Sequence, residues 1–240
     1  MKTEEYKMRP IACIHSDYQE KFGIPRQSGL VQTTATITFY PEFACADAVR
    51  GLERFSHIWL LWCFSENLGA ASHATVRPPR LGGNERVGVF ASRSPFRPNP
   101  IGLSCVKLVS VEILPETGPV LTVCGADLLD GTPILDIKPY LHYADCMPEA
   151  SGGYSEKYGE YLLDVQIPES IAAALPPEMR SAVAGILSQD PRPSYQDDPQ
   201  RIYGLRYADR NIRFRIENKT VYVIEIENLI PSPDRQPVQQ

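Results

Sequence analysis

Between Pro10 and Leu141 the sequence is a succession of short β-rich runs with almost nothing helical between them. The clearest is Val31–Phe39, where Val31, Thr33, Ala35, Ile37 and Phe39 alternate with Gln32, Thr34, Thr36 and Thr38. A period of two puts one set on a buried face and the other in water. Pro10–His15, His57–Phe64, Arg86–Ser92, Leu103–Leu114, Val120–Leu128 and Ile134–Leu141 are also read as strands, and Phe43–Leu52 is the one helix candidate among them. Parallel strands need a crossover of a dozen or more residues, usually a helix, and this half has no room for such units. The first domain is therefore expected to be mainly β, a barrel or a sandwich.

The composition changes near residues 147–160. Met147-Pro148-Glu149-Ala150-Ser151-Gly152-Gly153-Tyr154 reads as a linker. Beyond it, Ile171, Leu175, Met179, Val183 and Ile186–Leu187 recur at helical spacing within Pro168–Gln189, in two pieces because Pro176-Pro177 interrupts the run. Two strands follow, Asn211–Glu217 and Val221–Ile226, joined at Asn218-Lys219. The division expected is a domain over 1–147, a linker over 148–165 and a smaller α+β domain over 166–240, with a frayed Pro- and Gln-rich tail from Pro231 to Gln240.

Apolar runs stay far below the roughly 18 residues of a membrane span, and Met1–Arg9 has no apolar core of a secretory signal. The six cysteines are scattered, without a Cys-x-x-Cys pair, and read as reduced core residues of a cytoplasmic protein with no metal site. The formal net charge of −5 argues against indiscriminate nucleic-acid binding. Residues 77–97 and 201–219 are nevertheless basic islands in an acidic chain. In the second, Arg213 and Arg215 fall on the face opposite Ile212, Phe214 and Ile216, which makes that strand a candidate phosphate-contacting surface or a solvated one.

The most informative stretch is Ser92-Arg93-Ser94-Pro95-Phe96-Arg97-Pro98-Asn99-Pro100-Ile101-Gly102. Three prolines fix three φ angles and push Ser94, Arg97 and Asn99 into extended conformations. Such a segment presents Arg, Ser and Asn side chains with little entropy left to lose, which suits a ligand site. A rigid edge loop in solvent is the other reading. In the second stretch, Ala126–Tyr140, Asp130-Gly131 is a turn signal. Asp136, Lys138 and Tyr140 share one face of an extended run and are candidates to hold or move a proton. Gly82–Gly88 lacks the Gly-Lys-Ser/Thr ending of a phosphate loop, and no Gly-x-Gly-x-x-Gly occurs. His57 reads as a hydrogen-bonded structural histidine.

Together these segments resemble the TrmO family, also described as TsaA-like or YaeB-like proteins. The matching motifs are Ile24-Pro25-Arg26-Gln27-x-Gly29-Leu30, Arg54-Phe55-Ser56-His57-x-Trp59, Val76–Gly83, Arg93–Gly102, and Asp130-Gly131-Thr132-Pro133 through Asp136–Tyr140. The later Gln189-Asp190-Pro191-Arg192-Pro193-x-Tyr195 also looks like the bacterial members. The resemblance implies a single-sheeted, non-Rossmann β-barrel that is a SAM-dependent tRNA methyltransferase and acts as a homodimer. It implies methylation of N6 of threonylcarbamoyladenosine, next to the anticodon of threonine tRNA. By the same resemblance the S-adenosylmethionine contacts are Pro25, Arg26, Gln27, Arg93, Leu103 and the turn Leu128, Leu129, Asp130, Gly131, Thr132. A further contact is implied just after the Trp-containing strand, at Ser65 and Glu66, where relatives often carry a His. Catalysis is assigned to Asp136 or Tyr140 with Lys138 beside them. The competing class is a non-catalytic module that senses SAM or binds RNA, which labelled-methyl transfer to tRNA separates from an enzyme.

Overall fold

The computed structural model describes residues 4–78, 85–158, 161–192 and 198–229. The rest of the Val76–Gly83 and Gln189–Tyr195 motifs, the Gly-rich turn at 82–84 and the tail lie outside these residues.

Six strands close a barrel in the order β1-β2-β7-β6-β3-β8. They are β1 (Ala12–His15), β2 (Thr34–Phe39), β3 (His57–Cys63), β6 (Ile101–Leu114), β7 (Gly118–Cys124) and β8 (Pro133–Pro139), and all pair antiparallel. The alternation read from the sequence is what fills the barrel. Ala35 and Ile37 from β2, Ile58 and Leu60 from β3, and Leu121 and Val123 from β7 form one buried cluster with Ile14 and Ile134. Closure leaves no open sheet edge. Two irregularities make it possible. β6 pairs with β3 through Ile101–Lys107, then with β7 through Lys107–Leu114, with a register shift between Leu108 and Ser110. β8 shifts register against β3 between Leu61 and Trp62. Such bulges bend strands and increase their local twist.

Two expectations differ from the structure in this half. Phe43–Leu52 forms no α-helix. It breaks into 3-10 turns at Pro41–Phe43, Ala46–Val49 and Leu52–Arg54, because Cys45 and Arg50 between them adopt extended ψ values of 123°. Of Arg86–Ser92 only Val87–Gly88 (β5) is strand, paired with Thr75–Val76 (β4), and Val89–Ala91 turns as a 3-10 helix.

The second lobe is a four-stranded sheet in the order β10-β11-β12-β9. β10 (Tyr203–Tyr207), β11 (Arg210–Glu217) and β12 (Thr220–Asn228) form an antiparallel meander, and β9 (Asp164–Gln166) runs parallel to β12. The short α1 (His142–Asp145) ends the barrel half. The proline pair splits the helical run into α2 (Glu169–Ala172) and α3 (Pro177–Ser188). α3 buries Ala182, Val183, Ile186 and Leu187 against Leu205, Ile212, Phe214 and Val221 of the sheet.

The two lobes meet through residues 17–31. Tyr18 and Val31 are buried in the second core, with Phe22 and Ile24 packed against it, although they precede the barrel strand β2. Tyr18 pairs with Tyr207 across an isolated bridge, with rings 5.6 Å apart edge to face. The Ala208 amide donates to the Asp17 carbonyl at 2.9 Å, and the Arg206 amide to Glu20 Oε1 at 3.0 Å. The Tyr18 hydroxyl bonds Thr33 Oγ1 at 3.0 Å, and burial pushes its pKa up to about 12. Gly23 sits at φ 90° with no room for a Cβ, which would overlap the Leu205 side chain.

Gly23→Ala should therefore combine left-handed backbone strain with overpacking of a buried leucine and destabilise the chain by about 1–3 kcal/mol. Urea unfolding of the purified variant checks this, and a midpoint equal to wild type would show that the seam has slack.

Candidate active site

A cavity of about 580 Å³ opens where residues 21–27, the end of β3, the Ser92–Gly102 segment and the start of β6 come together. Each wall has a local cause. The proline-rich segment is held by its own side chains. Ser92 Oγ donates to the Val89 carbonyl at 2.8 Å and accepts the Ser94 amide at 3.3 Å, and Ser94 Oγ accepts the Phe96 amide at 3.3 Å. Arg97 folds back and donates to the Ser92 carbonyl at 3.0 Å. The Phe64 amide docks onto the Pro100 carbonyl at 2.9 Å. Arg97 thus holds the loop in shape, while Arg93 extends from it to Gln27 Oε1 on the opposite wall.

The Pro25-Arg26-Gln27 wall is tied at both sides. Arg26 donates to the Asp190 carbonyl in the second lobe at 3.3 Å. Ser28 Oγ accepts the Cys105 amide of β6 at 3.1 Å, and the Gly29 amide donates to the Gly125 carbonyl at 2.8 Å. The floor is apolar and tight. Gly102 has no space for a Cβ because the Trp62 ring lies against its backbone, and the Trp62 and Phe64 rings meet tilted at 60°, with centroids 4.3 Å apart.

Beside this floor lies a group that sequence reasoning did not single out. Trp62 Nε1 donates to Ser104 Oγ at 3.0 Å, and Ser104 Oγ donates to Asp127 Oδ1 at 2.6 Å. Asp127 lines the cavity. Burial raises its pKa above the usual carboxylate range, opposed by Ser104, its own amide, Arg93 and the Ser28 amide. The signal was present in the sequence as an Asp before a buried leucine, but nothing there tied it to a serine on another strand. Lys21, Arg26, Arg93 and Arg97 line the cavity against the carboxylates Glu66 and Asp127, so its charge favours an anionic group.

Of the expected contact residues, Pro25, Arg26, Gln27, Ser65, Glu66, Arg93, Leu103, Leu129 and Thr132 line this cavity. Asp130 lines a neighbouring one that shares Lys21, Glu66 and Leu129 with it. Leu128 points into the barrel core instead, at 1% exposure. Several backbone groups of the Leu129–Thr132 turn are bonded within the protein. The Asp130 amide donates to the Tyr18 carbonyl at 3.0 Å, the Gly131 amide to Ile14 at 2.9 Å, and Leu129's carbonyl accepts Thr132 Oγ1 at 2.7 Å.

Asp136, Lys138 and Tyr140 do not line the cavity. The register shift in β8 pairs Asp136 with Leu61 and Lys138 with Trp59, on the outer side of the barrel wall. Asp136 and Lys138 pair with each other at 2.9 Å, and Tyr140 packs its ring on Trp59 and His57. His57 hydrogen-bonds Ser56 Oγ at 2.9 Å, as a structural histidine does. The basic strand of the second lobe is also compensated. Arg213 pairs with Glu225 at 3.1 Å, and Arg215 pairs with Glu217 at 2.6 Å and lies over the Tyr222 ring.

Comparison with known proteins places this geometry. Residues 13–146 match the tRNA-methyltransferase O N-terminal domain, and residues 160–229 match the TrmO C-terminal domain. An Escherichia coli K12 protein named tRNA (adenine(37)-N6)-methyltransferase is 39% identical over 92% of this chain and 98% of its own. A Pseudomonas aeruginosa protein named putative S-adenosylmethionine-dependent methyltransferase RcsF is 41% identical over 87% of this chain and 92% of its own. A crystal structure of TrmO from Pseudomonas aeruginosa superposes with a TM-score of 0.72 at 32% identity, covering 94% of this chain and 100% of that one.

The buried carboxylate has a consequence for stability. The folded pKa of Asp127 lies above its unfolded value near 3.8, so its contribution to stability is full below that value and is lost as pH rises through the folded pKa. Asp127→Asn does not titrate. It should unfold at higher urea than wild type at pH 7, and the gap should close toward pH 4. Urea midpoints measured across that range check the sign, and a wild type more stable than the variant at pH 7 would contradict it.

Proposed function

The chain belongs to the tRNA-methyltransferase O family, and from that premise we propose that it methylates N6 of adenine-37 in tRNA with S-adenosylmethionine as donor. The finer reading is that the adenine carries a threonylcarbamoyl group in threonine tRNA and that the enzyme works in the cytoplasm. The observation that carries the proposal is the cavity itself. It combines an apolar floor of Trp62 and Phe64, four cations and a half-buried carboxylate at the mouth of a barrel. That donor set suits a ligand with an adenine, a carboxylate and a cationic centre. S-adenosylmethionine supplies an electrophilic methyl group on a sulfonium. Arg93, already reaching across the cavity to Gln27, would exchange that partner for the ligand carboxylate in a charge-assisted bond. Trp62, Phe64 and Leu103 would keep water from the reacting atoms. Alignment of donor and acceptor supplies much of the acceleration, about 7–11 kcal/mol in well-oriented cases.

The homodimer belongs to the same proposal. Leu103, 48% exposed, lines the cavity and also lies on the outer face of β6 opposite Leu61. Trp59 and Cys105 continue that face, so an apolar strip runs from the cavity along the barrel wall. A second copy seated there would cover the strip and stand beside the site. Light scattering at micromolar concentration should give a dimer, and a fully active monomer would remove this part of the proposal.

No helix among the described residues is long and apolar enough to cross a membrane, and none of their His, Cys, Asp and Glu side chains cluster as metal ligands. The chain should bind S-adenosylmethionine and S-adenosylhomocysteine in excess chelator, as read by calorimetry. Arg93→Ala should weaken that binding by about 1.5–3 kcal/mol. Nucleoside mass spectrometry of tRNA from a strain lacking the gene should show loss of the N6-methyl group at position 37 and its return on complementation. Unchanged tRNA in that strain would contradict the proposed activity.

A further inference from the structure

We propose that Asp127 is the general base of the methyl transfer, taking the proton that N6 of the target adenine gives up. The inference rests on the N6-methylation reading above. An adenine N6 has its electron pair delocalised into the ring, so it is a weak nucleophile that becomes acidic as the new bond forms. A proton acceptor placed beside it lowers the barrier.

Among the described residues the cavity wall offers two carboxylates, Asp127 and Glu66. Glu66 is exposed on a 3-10 turn, where a side chain keeps its rotamer freedom. Asp127 is held by a directional chain. An indole N–H only donates, and a serine hydroxyl has one proton. Trp62 therefore obliges Ser104 to accept from the indole and to give its own proton to Asp127 Oδ1. The chain is in turn fixed by the packing of Trp62 on the backbone of Gly102. The carboxylate also takes the Ser28 amide and its own amide, and since its two oxygens offer about four acceptor sites, one is left for a ligand N–H. Burial makes that carboxylate more basic than an exposed one, against the pull of Arg93. Tyr18 is the other titratable group coupled to it, and Lys21, Arg26, Arg97 and Glu66 share the cavity.

The step balances. The N6 electron pair forms the new N–C bond. The C–S bond breaks with its pair on sulfur, which passes from sulfonium to neutral thioether. The N6–H proton passes to Asp127, and the resulting neutral acid returns it to water after product release. The Gly102-Leu103-Ser104 end of the proline-rich motif thereby acquires a reason: Gly102 admits the indole, and Ser104 transmits its hydrogen bond to the base.

The test is single-turnover methyl transfer, with enzyme in excess, to tRNA from cells lacking the gene, alongside calorimetry of S-adenosylhomocysteine. Asp127→Asn should slow transfer by roughly 10²- to 10⁴-fold, abolish the acid limb of the pH–rate profile, and leave S-adenosylhomocysteine affinity within about threefold of wild type. Ser104→Ala removes a donor that lowers the Asp127 pKa, so its acid limb should move to higher pH. An Asp127→Asn rate within about threefold of wild type would overturn the proposal. So would a loss of S-adenosylhomocysteine affinity beyond about tenfold, which would make Asp127 a binding group for the cofactor. A wild type inactive on position 37 would overturn the N6-methylation reading and this proposal with it, and is told apart by failing before any variant is compared.

Discussion

Residues 17–31 are packed into the core of the second lobe and hydrogen-bonded to the rim of the barrel, and the candidate site depends on that. Tyr18 and Val31 are buried among α3 and β10–β12, while Ser28 and Gly29 bond to β6 and to Gly125 at the mouth of the barrel. Between these anchors stand Pro25, Arg26 and Gln27, one wall of the cavity. A loop on a barrel rim would ordinarily be among the more mobile parts of a structure. Here a separate lobe covers its back. The second lobe thus shapes the cavity without lining it, because it packs against the backbone from which the lining residues project.

Charge is arranged by the same division. On β11 the arginines face glutamates of their own sheet, so that strand carries little unbalanced charge. Around the cavity the cations outnumber the carboxylates, and two of them are tethered to backbone carbonyls that hold the walls. An anionic ligand there meets charges already in place, and preorganised donors are worth more than mobile ones. Asp127 stands at the floor, where burial raises its pKa and the hydrogen bonds from Ser104 and from backbone amides oppose that rise.

Much of this was legible in the residues. The alternation of Val31–Phe39 gave the buried face of β2, Pro176-Pro177 gave the break between α2 and α3, and Asn218-Lys219 gave the turn between β11 and β12. The stiff Arg93–Gly102 segment and the Pro25-Arg26-Gln27 turn do line the cavity. What failed depended on partners distant in sequence. The face of Asp136, Lys138 and Tyr140 was read correctly as shared, but which side of the barrel it occupies is set by the register shift against β3. The charge of Arg213 looked available because Glu225, its neighbour across the sheet, lies twelve residues later, and Arg215 turns to Glu217 on its own strand. β10 was missed although Tyr203, Leu205 and Tyr207 alternate, since a five-residue run with a central glycine–leucine pair gives a weak signal. Ser104 lies on β6 and Asp127 in the loop between β7 and β8, and the two meet only once the barrel closes.

The most direct test of this account is ligand binding to a chain loosened only at the seam. Leu205 fills the space against Gly23 from the second lobe and does not line the cavity. Leu205→Ala should weaken S-adenosylhomocysteine binding, measured by calorimetry, by roughly tenfold or more, since a wall displaced by about an ångström loses much of its fit. Wild-type affinity in a Leu205→Ala protein whose unfolding midpoint has fallen would show that the cofactor wall stands without the second lobe, and would contradict the account.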